Sequence, residues 1–218
     1  MAISPSPNGM LLVATDVAAQ DEADFNRWYD REHVEERVRI PGFLSGTRYQ
    51  ASQGGRKYLG LYKTLSLECF TSSAYQAAFT RQTAWSETNL RRMRDPMRRV
   101  CAVQAVTGQG TGSQLSILAL EPAPDSALID SVLRLGETLS AEAGFVASSL
   151  LLPDAALSTP LPNESRDSRP MLPLLLVESS GPAAGAHLSA LASRALNLSA
   201  DNFLHYAFNW QLTAQELK

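Results

Sequence analysis

The sequence predicts an α+β protein built from two tandem copies of one βαββαβ unit, and three observations carry that prediction. Strand-like and helix-like segments follow one another as strand, helix, strand, strand, helix, strand over residues 10–106, and the same order returns over 114–212. Between them, residues 107–113 (TGQGTGS) have the composition of a linker. The third observation is an internal echo. Gly144-Phe145-Val146-Ala147-Ser148 has the character of Gly42-Phe43-Leu44-Ser45-Gly46 at an offset of 102 positions, and the final strand follows its counterpart by about 106.

In the first copy, residues 10–16 (MLLVATD) form a short apolar run that stops at a polar residue, as a buried strand does. Residues 1–9 are rich in Pro, Ser, Asn and Gly and read as a loose lead-in. A helix follows, with Asp21 as its candidate N-cap, and runs to about Val38. Pro41-Gly42 ends it, because a residue before proline avoids the helical region and glycine accepts a left-handed turn. Residues 43–51 and 57–65 alternate as strands around the turn SQGGR. Thr71 or Ser72 caps a second helix from about 73 to 82, continuing irregularly toward Arg94 until Pro96 breaks it; residues 98–106 (RRVCAVQAV) form the fourth strand. The second copy repeats the plan with strands at 114–120, 144–152, 171–179 and 203–212, helices at 125–143 and 183–196, and a long polar loop over 153–169.

Composition excludes several classes of function. Of 218 residues 44% are apolar, enough for a proper core, and 19 basic against 22 acidic residues leave a net charge of −3. No global field favours nucleic acid or an anionic membrane. The local run Arg91, Arg92, Arg94, Arg98, Arg99 reads as a solvated helix end beside carboxylates, or less simply as an anion site. Cys69 and Cys101 lack metal-ligand spacing and suit small buried residues in a reducing compartment. Neither a signal peptide nor an apolar run near the ~18 residues of a membrane span is present, so a cytoplasmic protein is expected.

The first helix is the informative stretch. At about 100° per residue, Phe25, Tyr29, Glu32, His33, Glu36 and Ile40 share one side with Trp28 at its edge, while Arg27, Arg31, Val34 and Val38 lie opposite. Rings mixed with ionisable groups are not a plain core stripe. Either the helix bends near His33 or it borders a cavity that is part apolar and part polar. The second copy's first helix has Leu128, Ile129, Val132, Leu135 and Leu139 at ordinary core spacing and no Trp, Tyr or His.

The two-copy plan, together with Phe25-Asn26-Arg27-Trp28-Tyr29-Asp30, Glu32-His33, Ile40-Pro41-Gly42-Phe43 and Arg48-Tyr49, resembles the dimeric α/β-barrel superfamily, nearest its EthD-like branch. The resemblance implies two ferredoxin-like repeats forming an intrachain barrel that other members assemble from two chains, with a small-molecule pocket between sheet and helices near the first helix. It also implies a range of activities: cofactor-free monooxygenases, cyclases, dehydratases, isomerases, and haem proteins. Fold alone does not choose among them.

The candidate catalytic residues are His33, as acid or base, and Tyr29, one turn earlier, as hydrogen-bond donor. Glu32 or Glu36 would raise the basicity of His33. Phe25, Trp28, Glu32, Glu36, Tyr49 and Tyr58 are the candidate substrate-binding residues. Each has a plainer reading: His33 fixing the bend, Tyr29 a half-buried ring, Trp28 and Phe25 core, Tyr49 and Tyr58 a cross-strand pair. Metal is not expected, since HExxH spacing is absent. No cofactor is required, although haem is a rival because one histidine suffices, with His187 and His205 as further possible ligands. The expected partner is a small molecule, aromatic or polyketide-like, for a protein that is a monomer with an internal pseudo-dimer or a homodimer; a non-catalytic carrier is the alternative.

Overall fold

The computed structural model describes residues 8–121 and 124–217. Most of the expected lead-in lies outside them, and Gly9 already opens the first strand. Among the described residues there are eight strands, β1 (Gly9–Asp16), β2 (Phe43–Gln53), β3 (Tyr58–Thr64), β4 (Arg94–Gly108), β5 (Gln114–Ala119), β6 (Phe145–Pro153), β7 (Leu174–Ser179) and β8 (Leu204–Thr213). They close into one antiparallel barrel in the order β1-β3-β2-β8-β5-β7-β6-β4. Read from β4, the first half runs 4-1-3-2 and the second 8-5-7-6, the same permutation twice. Closure comes from β2 pairing with β8 and β4 with β6, so one chain makes both seams of a tandem ferredoxin-like barrel. The echo seen in sequence has a backbone counterpart, because Gly42 and Gly144 enter β2 and β6 with φ of 89° and 82°.

Alternation along each strand divides the apolar side chains into three cores. Met10, Leu12, Tyr49, Leu59, Leu61, Leu115, Ile117, Leu151, Leu174, Leu176 and Tyr206 fill the barrel interior. Outside it, α5 (Ser126–Ser140) and α6 (Pro182–Leu196) cover the second half with a purely apolar cluster that includes Val132, Leu139 and Leu188. The first half is covered by shorter pieces: α1 (Glu22–Trp28), α2 (Val34–Val38), α3 (Ser73–Thr80) and α4 (Ala84–Arg92).

Between α1 and α2 the chain makes a π turn over Tyr29–His33. The wider turn takes in one extra residue, which sets everything after it back by about 100°. Val34 and Val38, expected on the far side, therefore face the sheet and are buried. Val34 sits on Gly46, where a Cβ would lie 2.8 Å from Val34 Cγ1. Asp21 holds the expected N-cap position of α1, but it closes a 3-10 turn over Ala19–Asp21, its side chain makes no cap hydrogen bond, and it instead faces Arg92 at 3.4 Å.

Ser72 and Thr83 cap α3 and α4 through their hydroxyls, making two helices where one irregular helix was expected, and Pro96 falls within β4 instead of ending the helix. The arginine run is divided accordingly. Arg91 pairs with Glu87 on the surface and Arg92 with Asp24, whereas Arg98 and Arg99 are strand residues, 2% and 4% exposed. Cys69 is half-buried, and Cys101 lies in the barrel interior with desolvation pushing its thiol up to about 12.

Candidate functional site

A cavity of about 350 Å³ opens between the outer face of the first-half sheet and its helices. Its floor is Leu11 and Val13 of β1, Tyr62 of β3 and Arg98 of β4; its walls are His33, Arg37, Tyr75, Phe79, Leu90 and Met93. The roof comes from the other half of the chain, through Thr159, Pro160, Leu161, Pro162 and Arg166 of the long loop after β6. That loop is pinned by Glu164, whose carboxylate bonds Arg99 at 2.6 Å, Arg169 at 2.8 Å, and the backbone N–H groups of Leu161 and Arg98 at 3.1 and 3.3 Å. Desolvation works against its ionised form, but these donors from Arg169, Arg99 and Leu161 win, and its carboxyl is held below the usual range.

His33 lines this cavity at 8% exposure. Its ring packs on Trp28 at 4.4 Å, tilted by 33°, and meets Tyr29 and Tyr62 edge-on at 5.0 and 6.3 Å. Nδ1 is buried without a hydrogen-bond partner. Burial first, then the charges of Arg37 and Arg48, hold its pKa well below the ordinary value, so the imidazole is neutral at pH 7. The expectation that Glu32 or Glu36 would raise its basicity is thereby reversed. Glu32 is turned away, accepting from Thr83 Oγ1 at 2.6 Å and Ser86 Oγ at 3.0 Å, and Glu36 is half-exposed outside the lining.

The other expected site residues are distributed as follows. Tyr29 is buried behind Tyr62 and does not line the cavity; the phenol that does is Tyr62. The two hydroxyls are near enough to perturb one another, but that of Tyr62 meets no partner at hydrogen-bond geometry. Desolvation raises the pKa of both, that of Tyr62 well above the ordinary phenol value. Phe25 and Trp28 are fully buried supports: Phe25 touches the rings of Trp28, Tyr29 and Tyr58, and Trp28 donates to Ser86 Oγ at 3.0 Å. Tyr58 packs on Phe25 and receives Asn26 Nδ2 at 3.2 Å. Tyr49 points into the barrel, on the opposite face from Tyr62, because it sits one register position off; it pairs with Leu59 and not with Tyr58.

The lining also includes residues that the sequence does not single out: Tyr62 of β3, Tyr75 of α3, Arg37 of α2, Arg98 of the basic run, and the roof loop, which lies over 60 positions from the helices it covers. His187 and His205 lie elsewhere, His187 on the surface with Glu142 at 2.8 Å and His205 with Ser116 at 3.0 Å. Among the described residues no cluster of His, Cys, Asp and Glu could hold a metal ion, and no helix is long and apolar enough to cross a membrane.

The closed barrel of two ferredoxin-like units with a pocket under the helices of one unit is the dimeric α/β-barrel fold, here within a single chain. Solved structures agree on that fold along nearly the whole length. An anthrone oxidase-like protein is 11% identical, with a TM-score of 0.61 over 97% of this chain and 94% of that one. A proposed monooxygenase from Fusobacterium nucleatum subsp. nucleatum is 9% identical, with a TM-score of 0.61 over 96% of each chain. A heme-binding protein from Thermus thermophilus is 10% identical, with a TM-score of 0.50 over 96% of this chain and 92% of that one. No family model and no curated protein matches the sequence. At these identities the likeness carries the fold and leaves the chemistry to the site.

Proposed function

We propose that the cavity binds a small aromatic or polyketide-like molecule and that the protein is a cofactor-free acid/base enzyme of the monooxygenase, cyclase or isomerase type. The observation that carries this reading is an imidazole, His33, at the wall of a cavity of about 350 Å³ that is part apolar and part polar, a volume in the range of small-molecule sites; burial keeps that imidazole neutral. A neutral imidazole can take a proton from an activated C–H or O–H group, becoming imidazolium while the substrate becomes an enolate or phenolate. Tyr62, a phenol held protonated by its burial, is placed to donate to the oxygen on which that charge collects. His33 is the catalytic residue in this reading and Tyr62 takes the donor role first expected of Tyr29. Phe25, Trp28 and Tyr58 act as positioning residues behind them.

Haem fits these residues less well. A metal-bound histidine ordinarily donates its second ring N–H to an acceptor that fixes the ring, whereas Nδ1 of His33 is buried with no such partner, and Trp28 covers one ring face.

Anthrone, whose central methylene protons are acidic, is a direct probe, given the anthrone oxidase-like neighbour. Exchange of those protons with deuterated solvent should be faster with the protein than without it, and His33→Gln should lower the catalysed rate by about 10² to 10⁴. Binding without exchange in wild-type protein would instead support a carrier. Equal exchange in wild type and a folded His33→Gln protein would remove His33 from the chemistry.

A further inference from the structure

The buried polar atoms that lack hydrogen-bond partners are not scattered. Nine side-chain atoms among the described residues are in this state, and four of them, His33 Nδ1, Arg37 Nε, Tyr62 Oη and Arg98 Nε, belong to residues lining the one cavity. Two of the four are guanidiniums.

Arg37 and Arg98 are 4% and 2% exposed, and among the described residues neither has a carboxylate within ion-pair distance, although the other buried arginines do: Arg48 pairs with Asp30 and Arg99 with Glu164. Arg37 donates one hydrogen bond, to the Ala78 carbonyl at 3.2 Å. Arg98 donates to the carbonyls of Leu157 and Thr159 and to Tyr75 Oη, all neutral acceptors. Both guanidiniums approach the Phe79 ring, at 5.9 and 5.2 Å from its centroid, so they share one neighbourhood of the cavity wall. The lining also includes the exposed Arg166 and no carboxylate at all.

A buried cation without a counter-charge is costly, and evolution tolerates it where a ligand brings the missing charge. We propose that the natural ligand is an organic anion: a flat, largely apolar body bearing a carboxylate that sits between the guanidiniums of Arg37 and Arg98. Guanidinium forks match carboxylate geometry in a way that a point cation does not. Leu11, Val13, Leu90, Met93 and Leu161 receive the apolar body. This deepens the small-molecule reading and rests on it. Arg166, at the roof, adds attraction on entry.

The test compares 2-naphthoate with its neutral isostere 2-naphthamide on the full chain, by calorimetry, with sodium chloride and inorganic phosphate as separate arms. Naphthoate should bind about tenfold or more tightly than naphthamide, and Arg37→Met should remove most of that preference. Because Arg98 also ties down the roof loop, Arg37→Met is the primary variant; its thermal midpoint should equal or exceed that of wild type, and Arg37→Lys should recover part of the preference. Equal affinity for acid and amide would overturn the anion claim while leaving the cavity as a small-molecule site. Binding of neither compound would sink the small-molecule reading itself. Saturation of the effect by chloride or phosphate alone would mean that an inorganic ion, and no organic ligand, meets the two guanidiniums.

Discussion

The imidazole of His33 lies on the indole of Trp28, centroid to centroid 4.4 Å, although the two residues are five positions apart. In a regular α-helix such a pair would diverge by about 140°. The π turn over Tyr29–His33 brings them together, and the same turn rotates Arg37 toward the cavity and Val34 onto the sheet. A π turn in a helix often marks a functional place, and here it aims the one cavity-lining imidazole.

Replacing His33 by Phe tests whether that imidazole is held for stability or for chemistry. A phenyl ring keeps the stack on Trp28 and removes the unpartnered Nδ1. Stability in urea should hold or rise by about 1 kcal/mol, while any catalysed proton exchange is lost. A large loss of stability would show that the ring nitrogen has a structural partner.

Stability should also depend on pH through this residue. The unfolded imidazole protonates near its ordinary value of about 6.5. In the fold, burial and the charges of Arg37 and Arg48 keep it neutral to well below that. Between the two values the unfolded chain binds the extra proton, so stability falls as pH is lowered through that window. His205 is shifted the same way by burial and is present in both proteins. Urea denaturation from pH 8 to 5 should therefore give a shallower decline for His33→Phe than for wild type, and parallel curves would contradict the assignment.

The roof depends on Glu164. Glu164→Ala strips the acceptor from Arg99 and Arg169 and leaves buried guanidiniums unpaired, at a cost of about 3–5 kcal/mol. Limited proteolysis should cut the 157–169 loop first in this variant. Because the native carboxyl is held below its ordinary range, its contribution is present above the unfolded value and is lost on acidification through the folded one.

Gly60 allows the Tyr29 hydroxyl to approach β3: a Cβ there would lie 2.8 Å from it and 3.4 Å from Tyr62 Cε2. Gly60→Ala should destabilise by about 1–3 kcal/mol and disturb tyrosine fluorescence. No change in either would mean that the tyrosine pair has room to move.

The order of elements, the duplication and the contrast between the mixed first helix and the apolar α5 were legible because periodicity and turn residues are local signals. The stretch Phe25–Tyr49, which carries the likeness to a known family, supplies His33 and Arg37 to the cavity lining. What stayed hidden depends on long-range placement. A one-residue register difference sends Tyr49 into the barrel and Tyr62 to the cavity, and no pattern in β2 or β3 alone says which face the helices will cover. The π turn has no sequence signature, so a regular helix puts Val34 and Val38 on the wrong side. The roof comes from a polar loop of the second copy, invisible until the barrel closes.

The most direct measurement is the NMR titration of the histidine rings with and without 2-naphthoate. Of the three histidines, only His33 borders the cavity, and Arg37, Arg48, Tyr29 and Tyr62 are the titratable groups against it. Saturating naphthoate should move the His33 resonances alone and raise its pKa toward the ordinary value, since the carboxylate offsets the field of Arg37. His33 resonances that stay in place, at ligand concentrations that saturate binding, would contradict the account.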